Sequence, residues 1–433
     1  MASKTLHPAS LPVPAAWPAA VKFIMAARFA RSVGQGALVV GFTLDLHALG
    51  WSAAAIGGVL SAGLLLGVVL TLLIGPASDR LGRRQFLLAY EGVLIVSALL
   101  ALASSAPWIL TLGAVLGGFG RGANGAAGPF GPLEQAWLAQ DLPASQRSRV
   151  FSLNSTLGFA GMAVGALLAG LTAVWSGVLP GALAYRPLFA LPLLGSIIGM
   201  LLIWRAPDVK RTRPAQAAHR AASQPGGGAI DAGVKTEGHS ATHREENRQL
   251  FRLAFANSLN GFGIGMVAPL MAYWFLRRFG HGPATIGPAL AASFVLAALG
   301  AQLANRIVPR LGVVRTVVAM RAAGLLLMLL TPFMPAFGLA ASLWAVRAAF
   351  NQGTLGVRQA LTMGLTRQHR QGMAATVNNV SIQVPRAIGP AIAGLMLHQG
   401  WLTAPFLVAA GFQLAYLIVY QRFFRGVENP DSA

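Results

Sequence analysis

The chain has 433 residues, of which 55% are hydrophobic and only 10% are charged. A soluble globular protein carries about 25% charged residues, so this composition excludes that class and predicts a protein that faces lipid over much of its surface. The formal net charge of +21 would suit a nucleic-acid partner. The basic residues sit in short clusters between apolar runs, however, so membrane orientation explains them better and we expect no nucleic acid. Cysteine is absent, which excludes disulfides and thiolate metal sites.

Twelve apolar segments are long enough to cross a bilayer, since a membrane-spanning helix needs roughly 20 predominantly apolar residues. We place them near residues 23–48, 53–75, 86–104, 108–136, 150–175, 187–204, 250–276, 284–305, 314–332, 337–361, 373–397 and 402–421. The N-terminal segment lacks the charged start and unbroken apolar core of a cleaved signal peptide. The expected fold is therefore an all-α integral membrane protein with twelve transmembrane helices.

Lysine and arginine gather in alternate loops, as the positive-inside rule requires of the cytoplasmic side. The clusters are Arg80, Arg83 and Arg84; Arg147 and Arg149; Arg205 with seven residues of the central linker; Arg306, Arg310 and Arg315; Arg367 and Arg370; and Arg422 and Arg425. The opposite loops hold little more than Arg186, Arg277 and Arg278. This pattern predicts an inner-membrane protein with both termini and the linker in the cytoplasm.

The chain divides into five expected parts. They are a cytoplasmic tail (1–22), an N-terminal six-helix bundle (23–205), a linker (206–249), a C-terminal six-helix bundle (250–424) and a second cytoplasmic tail (425–433). The linker is rich in Pro, Gly, Ala, Ser and charge without a hydrophobic period, which predicts disorder. Its scattered His219, His239 and His243 are interpreted as solvent-exposed side chains, so we expect neither a metal nor a cofactor.

The two bundles resemble each other in sequence. SAAAIGGVLSA at 52–62 matches GPATIGPALAA at 282–292, and DRLG at 79–82 matches PRLG at 309–312, 230 residues on (312 − 82). Glu134 corresponds to Arg358 at an offset of 224 (358 − 134), and Gly165 corresponds to Gly389 at the same offset. Two repeats of equal orientation are related by an axis along the membrane normal, and a solute site between them is expected.

The loop after the second span reads GPASDRLGRR at 75–84. It strongly resembles the G-x-x-x-D-R-x-G-R-[RK] signature of the major facilitator superfamily. The resemblance implies two pseudo-symmetric six-helix bundles and secondary active transport by rocker-switch alternating access. It also implies a gating cluster at the cytoplasmic end of the fourth span. The expected gating residues are Gly75, Asp79, Arg80, Gly82, Arg83, Arg84 and Glu134.

The chemistry of this motif can be followed residue by residue. Gly75 permits close helix packing, Gly82 permits a turn of positive φ, and Asp79 can face the positive N-terminus of a neighbouring helix. The resemblance implies that Arg83 and Arg84 pair with Glu134 and lock the outward-facing state. The alternative is that these arginines only set orientation. In the second half, Pro309 and Arg358 replace both acids, which predicts an ionic lock in the N-terminal half alone.

Arginines inside the spans point to an anionic solute. Arg121 and Arg347 lie at similar depths in the fourth and tenth spans, which the family resemblance places on the central cavity. Buried positive charge calls for an anion, and guanidinium binds carboxylate or phosphate through two hydrogen bonds. We therefore expect a small anionic or zwitterionic organic solute. The candidate binding residues are Arg121, Asn124, Arg347, Asn351, Gln352, Arg386, Asn257, Asn260 and Arg31.

Each of these residues also has a structural interpretation. Arg121 can bond backbone carbonyls freed by its glycine-rich helix, Arg31 can snorkel to the interface, as can Arg321, and asparagines can join helices. Asp45 and Glu91 are the candidates for proton coupling, although structural roles suit both. Efflux of amphipathic drugs, by proton antiport, is the alternative function. The fifth span, with Gly161 and Gly165 spaced for close packing, lacks the Gly-Pro pair of the drug–proton antiporter branch.

An enzyme is not expected. The sequence has no interfacial cluster of His, Asp or Glu, and no G-x-x-x-x-G-K-[ST] phosphate-binding loop. The expected partners are a small-molecule solute, the lipid bilayer and, as an open question, protons as the coupling ion. We expect a monomer.

Overall fold

The computed structural model describes residues 17–121, 130–142, 144–207, 236–364 and 371–424, and every regular element in these ranges is a helix. The expected tails and most of the expected linker lie outside the described residues. Asn124 does as well, so its predicted role in binding has no structural counterpart. Within α2 and neighbouring segments the backbone is described, whereas the side chains of Gly75, Asp79 and Arg80 are not.

The N-terminal half contains eight α-helices in the described ranges. They are α1 (Ala19–Ala48), α2 (Ala53–Leu81), α3 (Arg83–Ala103), α4 (Pro107–Gly117), α5 (Phe130–Asp141), α6 (Ala144–Gly170), the short α7 (Thr172–Trp175) and α8 (Ala190–Arg205), with a 3-10 helix at Gly181–Phe189 before α8. Gly82 separates α2 from α3 with φ of 104°, the positive φ expected of this motif glycine.

The C-terminal half contains seven α-helices in the described ranges. They are α9 (Thr236–Val267), α10 (Met271–Phe279), α11 (Pro283–Leu311), α12 (Val313–Leu330), α13 (Phe337–Gly364), α14 (Gln371–His398) and α15 (Ala404–Phe424), with short 3-10 helices at Ala268–Leu270 and Thr331–Phe333. We call the end of the molecule at which α8 ends and α9 begins the linker side, and the opposite end the far side.

The helix count agrees with twelve crossings. Nine helical segments in the described ranges are long and apolar enough to span a membrane, and α4 is a shorter apolar helix. The 30 residues of α1 and the 28 residues of α13 also exceed the roughly 20 that a crossing needs. The chain is therefore a nearly all-helical, multi-pass membrane protein.

Three boundaries differ from the sequence-based expectation. The fourth span is not continuous, because α4 ends at Gly117, the next residue Gly118 adopts a left-handed φ of 66°, and α5 begins at Phe130. The seventh span is divided into α9 and α10 by the 3-10 turn that contains Pro269, since proline removes a helical hydrogen bond. Part of the expected disordered linker is helical, because α9 begins at Thr236. Its Glu, Arg and Gln residues have high helix propensity.

Helices within each half pack through glycine, as the repeat predicted. A Cβ on Gly165 of α6 would lie 2.8 Å from the backbone nitrogen of Ala37 in α1. Its repeat partner Gly389 of α14 would lie 2.6 Å from the nitrogen of Met266 in α9. Real side chains essentially never approach this closely, so both positions require a residue without Cβ. The equivalent glycines therefore pack the equivalent helices in both halves.

The two halves meet along two seams on the far side. In the first seam, Gly57 of α2 packs against the carbonyl of Pro390 and against Gly394 of α14, and Ser61 Oγ accepts a hydrogen bond from the Ala391 N–H at 2.9 Å. In the second seam, Gly287 of α11 packs 2.5 Å (Cβ position) from the carbonyl oxygen of Ala166 in α6. We call these contacts the far-side seams.

Candidate functional site

A charge-balanced cluster lies inside the N-terminal half. Arg31 donates from Nη1 to Glu91 Oε1 at 2.5 Å and from Nη2 to Glu134 Oε1, and Arg28 donates from Nη1 to Glu134 Oε2 at 3.2 Å. The Arg31 guanidinium also stacks over the Phe130 ring at 3.6 Å. All four charged side chains are buried, so α1, α3 and α5 are joined by two arginines and two glutamates of equal and opposite formal charge.

This cluster gives three expected site residues different surroundings. Arg31, a candidate for substrate binding, is held by two carboxylates, and Glu91, a candidate for proton coupling, is one of them. Glu134 pairs with Arg28 and Arg31 rather than with the motif arginines. Both arginines of α1 are buried at the same level of the bundle as the acids of α3 and α5, and for this reason they contact these acids directly.

The motif arginines bind backbone carbonyls of their own half. Arg83 Nη1 donates to the Ala136 carbonyl oxygen at 2.7 Å, and Arg84 Nη2 donates to the carbonyl oxygen of Trp204. The Trp204 carbonyl belongs to the last turn of α8, where positive charge complements the helix dipole. These contacts join the start of α3 to the ends of α5 and α8 on the linker side.

Arg121 lies at the break between α4 and α5. Its Nη2 donates to the Val115 carbonyl oxygen at 2.9 Å, and its Nη1 reaches the Tyr90 hydroxyl at 3.5 Å. Gly118 leaves room for it, since a Cβ there would lie 2.5 Å from the guanidinium carbon. The Nε atom is buried and donates to no acceptor in the described ranges. One edge of Arg121 therefore satisfies a freed carbonyl, as the structural interpretation predicted, and another N–H remains available.

The guanidinium that approaches Arg121 belongs to Arg386. Its Nη2 lies 3.5 Å from the Arg121 carbonyl oxygen, so the contact joins α14 of the C-terminal half to the N-terminal half. Arg386 Nε is also buried without an acceptor in the described ranges. An arginine of the C-terminal half thus contacts the backbone of an arginine of the N-terminal half, and each side chain retains a buried N–H donor. We call Arg121 and Arg386 the interface arginines.

Arg347 makes its contacts within the C-terminal half. Its guanidinium lies 4.4 Å from the centre of the Trp344 ring, and its Nη2 lies 3.3 Å from Met328 sulfur. With the Asn351 amide turned so that its oxygen faces the guanidinium, Arg347 Nε and Nη2 each donate to it at 3.3 Å. These contacts do not include the expected approach to Arg121, whose backbone carbonyl is contacted by Arg386 instead.

The remaining polar candidates divide between helix contacts and exposed positions. Asn257 Nδ2 donates to Asn378 Oδ1 at 2.9 Å, which joins α9 to α14, as the structural alternative predicted. Asn260 Oδ1 accepts from Arg321 Nη1 at 3.1 Å. Gln352 is exposed, although its neighbour Asn351 is partly buried. Asp45 is buried near the far end of α1, where Arg186 is the charge that acts on it.

A small cavity lies between the charge-balanced cluster and the helix break. It is lined by Arg31, Gln35 and Ser196, by apolar side chains, and by residues 117–120. Gln35 Oε1 is buried without a partner in the described ranges. Buried polar groups without a protein partner generally bind ordered water, so the cavity offers room for a water beside Gln35.

Sequence reasoning missed Arg28 and left Arg321 only as a snorkelling side chain. Arg28 precedes Arg31 by three residues, and residues three apart lie on the same helix face. That spacing was the available signal for a second arginine in the cluster. Arg321 stands 230 residues after Glu91 (321 − 91), the offset already seen in the repeat, so its position was also available from the sequence.

Two repeated sets of membrane-spanning helices that enclose buried cations define a multi-pass solute transporter rather than an enzyme. The sequence model of the Major Facilitator Superfamily matches residues 24–244 and 253–433. The chain belongs to the Major Facilitator Superfamily.

Similar proteins include transporters of different solutes. The chain is 33% identical over 227 residues to a gallate transporter of Pseudomonas putida, which covers 50% of this chain and 48% of that protein. It is 21% identical to an uncharacterized membrane protein of Saccharomyces cerevisiae over 94% of each.

Solved structures show the same fold. The D-xylose–proton symporter has a TM-score of 0.70 at 14% identity, and the alignment covers 93% of this chain and 97% of that one. The human organic anion transporter MFSD10 (TETRAN) has a TM-score of 0.59 at 17% identity, with 93% and 99% covered.

Proposed function

We propose that this protein transports a small organic anion or zwitterion across the inner membrane by rocker-switch alternating access, with the interface arginines as its solute-binding cations. The observation that carries the proposal is the contact of the Arg386 guanidinium with the Arg121 backbone carbonyl, which joins opposite halves, together with a buried N–H on each arginine that has no acceptor in the described ranges. A bound carboxylate supplies the negative charge that these buried cations lack and accepts hydrogen bonds from their N–H groups.

The charge of the C-terminal half supports an anion. No aspartate or glutamate occurs between Glu246 and Glu428, so Arg386 and Arg347 cannot be neutralised by an acid of their own bundle. A charge buried without a partner costs several kcal/mol. An anionic solute removes this cost when it binds. Because it binds between the two halves, its binding energy can shift the equilibrium between their relative positions.

The names of two similar proteins agree with this solute class. One is described as a gallate transporter and the other as an organic anion transporter. Gallate is an aromatic carboxylate, and Arg347 beside Trp344 offers a cation and an aromatic face together. We therefore favour an aromatic carboxylate among organic anions.

The far-side seams support alternating access. Both join glycine to backbone between the halves on one side of the molecule, which closes the far side around the interface arginines. With the linker on the cytoplasmic side, the side closed by these seams is the one away from the cytoplasm, which suits an inward-facing or occluded state. Protons are proposed as the coupling ion, with Glu91, the ion-pair partner of the cavity-lining Arg31, as the group that binds them.

Binding of aromatic acids to the purified protein tests the proposal. We expect benzoate-type acids to bind and neutral amides of the same shape to fail, because only the acid supplies an anionic acceptor. Arg386→Gln and Arg121→Gln should each weaken acid binding at least tenfold, which corresponds to about 1.4 kcal/mol. The measurements are calorimetric affinity and uptake into proteoliposomes with and without a proton gradient.

The matched control is Arg422→Gln, which removes an exposed arginine from the last turn of α15. It should bind acids with wild-type affinity. Efflux of amphipathic compounds is the competing function. Transport of such compounds by both arginine variants at the wild-type rate, without acid binding by the wild type, would replace the anion proposal with it.

A further inference from the structure

Arg321 is a buried arginine inside the C-terminal half that the solute site does not use. It is 4% exposed on α12, and it donates from Nε to Thr354 Oγ1 at 3.0 Å and from Nη1 to Asn260 Oδ1 at 3.1 Å. Both acceptors are neutral side chains that are 0% exposed. Nη2 donates no hydrogen bond within the described ranges, so the guanidinium has no anionic partner there.

The repeat shows what this position holds in the other half. Arg321 corresponds to Glu91 at an offset of 230 (321 − 91), and Arg358 corresponds to Glu134 at 224 (358 − 134). Asn260 corresponds to Arg31 at 229 (260 − 31). The N-terminal half therefore has arginine on its first helix and carboxylates on the next elements, whereas the C-terminal half has asparagine on its first helix and arginines opposite it.

Because arginine and acid are exchanged between the repeats, the equivalent positions of the two halves differ in net charge. The N-terminal cluster has two arginines and two glutamates. The equivalent positions of the C-terminal half have two arginines and no acid, and Arg321 is also repelled by the guanidiniums of Arg358 and Arg347. Glu246, the nearest acid in the sequence, lies on α9 but precedes Asn260 by 14 residues (260 − 246), a distance of about 21 Å along a helix.

A second atom in the same place also lacks an acceptor. Asn260 Nδ2 is buried and has no hydrogen-bond partner in the described ranges, although Oδ1 of the same amide binds Arg321. Buried donors without acceptors are rare and call for an unseen partner. Here the buried amide N–H of Asn260 lacks an acceptor beside a guanidinium whose Nη2 donates no hydrogen bond in the described ranges, and an anion can accept from both.

We propose that the C-terminal half binds a small inorganic anion of chloride size between Arg321 and Asn260, where α9, α12 and α13 meet. The anion takes the electrostatic role that Glu91 and Glu134 have in the other half. A small ion fits better than an organic acid because Asn260, Thr354 and Tyr416 around Arg321 are fully buried. The site lies within one bundle and does not depend on the proposed solute.

Thermal unfolding in different salts tests this site. The purified protein is compared in sodium chloride and in sodium gluconate at equal ionic strength, with no organic solute added. A ligand that binds only the folded state raises its stability in a saturable way, so chloride and bromide should raise Tm by several degrees and gluconate should not. In Arg321→Gln the chloride-specific increase should disappear.

Two further variants keep the outcome interpretable. Arg121→Gln should retain the full chloride effect, which separates this ion from the proposed solute site. If Arg321→Gln does not fold, Asn260→Leu removes the amide donor at similar volume, and the chloride effect should fall at least tenfold in apparent affinity. An equal Tm in chloride and gluconate at every concentration would overturn the proposal, as would a chloride effect that Arg121→Gln abolishes.

Discussion

Glu134 accepts hydrogen bonds from two arginines of α1, so a single oxygen-to-nitrogen change there tests the N-terminal cluster. We expect Glu134→Gln to lower the free energy of unfolding by about 3–5 kcal/mol, because it leaves buried positive charge without its partner. The measurement is Tm in detergent at neutral pH. Gln135→Ala is the control, since Gln135 is the exposed neighbour on the same helix. A wild-type Tm for Glu134→Gln would mean that the ion pairs contribute nothing.

The residues with buried charge could be found from the sequence, whereas their partners could not. An arginine within an apolar run has a known depth, and Arg31, Arg121 and Arg347 were identified in this way. The direction of each side chain around its helix depends on helix rotation and on breaks in the helix. Because α4 ends before Gly118, the guanidinium of Arg121 turns back to the Val115 carbonyl and its own backbone carbonyl contacts Arg386, and no spacing in the sequence indicated this.

At the scale of helices, the far-side seam between α2 and α14 depends on glycine at one of two neighbouring positions. A Cβ at Gly57 would collide with the Pro390 carbonyl, whereas a Cβ at Gly58 would meet nothing within 4 Å. We expect Gly57→Val to open the far side and Gly58→Val to leave it closed. Because the native chain has no cysteine, a single Ser61→Cys substitution can report this.

The expected result is faster maleimide labelling of the thiol introduced by Ser61→Cys in the Gly57→Val background, by at least tenfold, since Ser61 is 6% exposed in the closed seam. Labelling in the Gly58→Val background should match that of the parent. Equal labelling in both backgrounds would show that the seam does not control access to this position.

The positions of the membrane-spanning helices could be predicted from hydropathy, whereas the breaks within them could not. A run of apolar residues predicts a crossing because the bilayer demands internal hydrogen bonding of the backbone. The same rule gives no information on whether Gly118 adopts a left-handed φ or whether Pro269 ends α9, since neighbouring helices can satisfy the freed groups. The predicted linker was too long for a related reason, because polarity alone does not exclude helix and α9 begins within it.

At the scale of the whole molecule, the orientation in the membrane determines which end of the protein faces the cytoplasm. The positive-inside pattern predicts that the linker and both termini lie in the cytoplasm. Ser223→Cys places a single thiol in the linker. In intact cells a membrane-impermeant maleimide should leave this thiol unmodified, and it should modify it after permeabilisation. Ser176→Cys, between α7 and the 3-10 helix on the far side, is the control and should react in intact cells.

The far-side seams bring helix backbones into contact at Gly57 and Gly287, and buried apolar side chains of both halves, among them Ile56 and Ile286, belong to one cluster around them. Separating the halves at this end would wet that apolar surface, and the free energy of apolar burial is roughly proportional to area. We therefore expect the closed far side to be a stable resting state, which a ligand opens only by binding the open form much more strongly than the closed one.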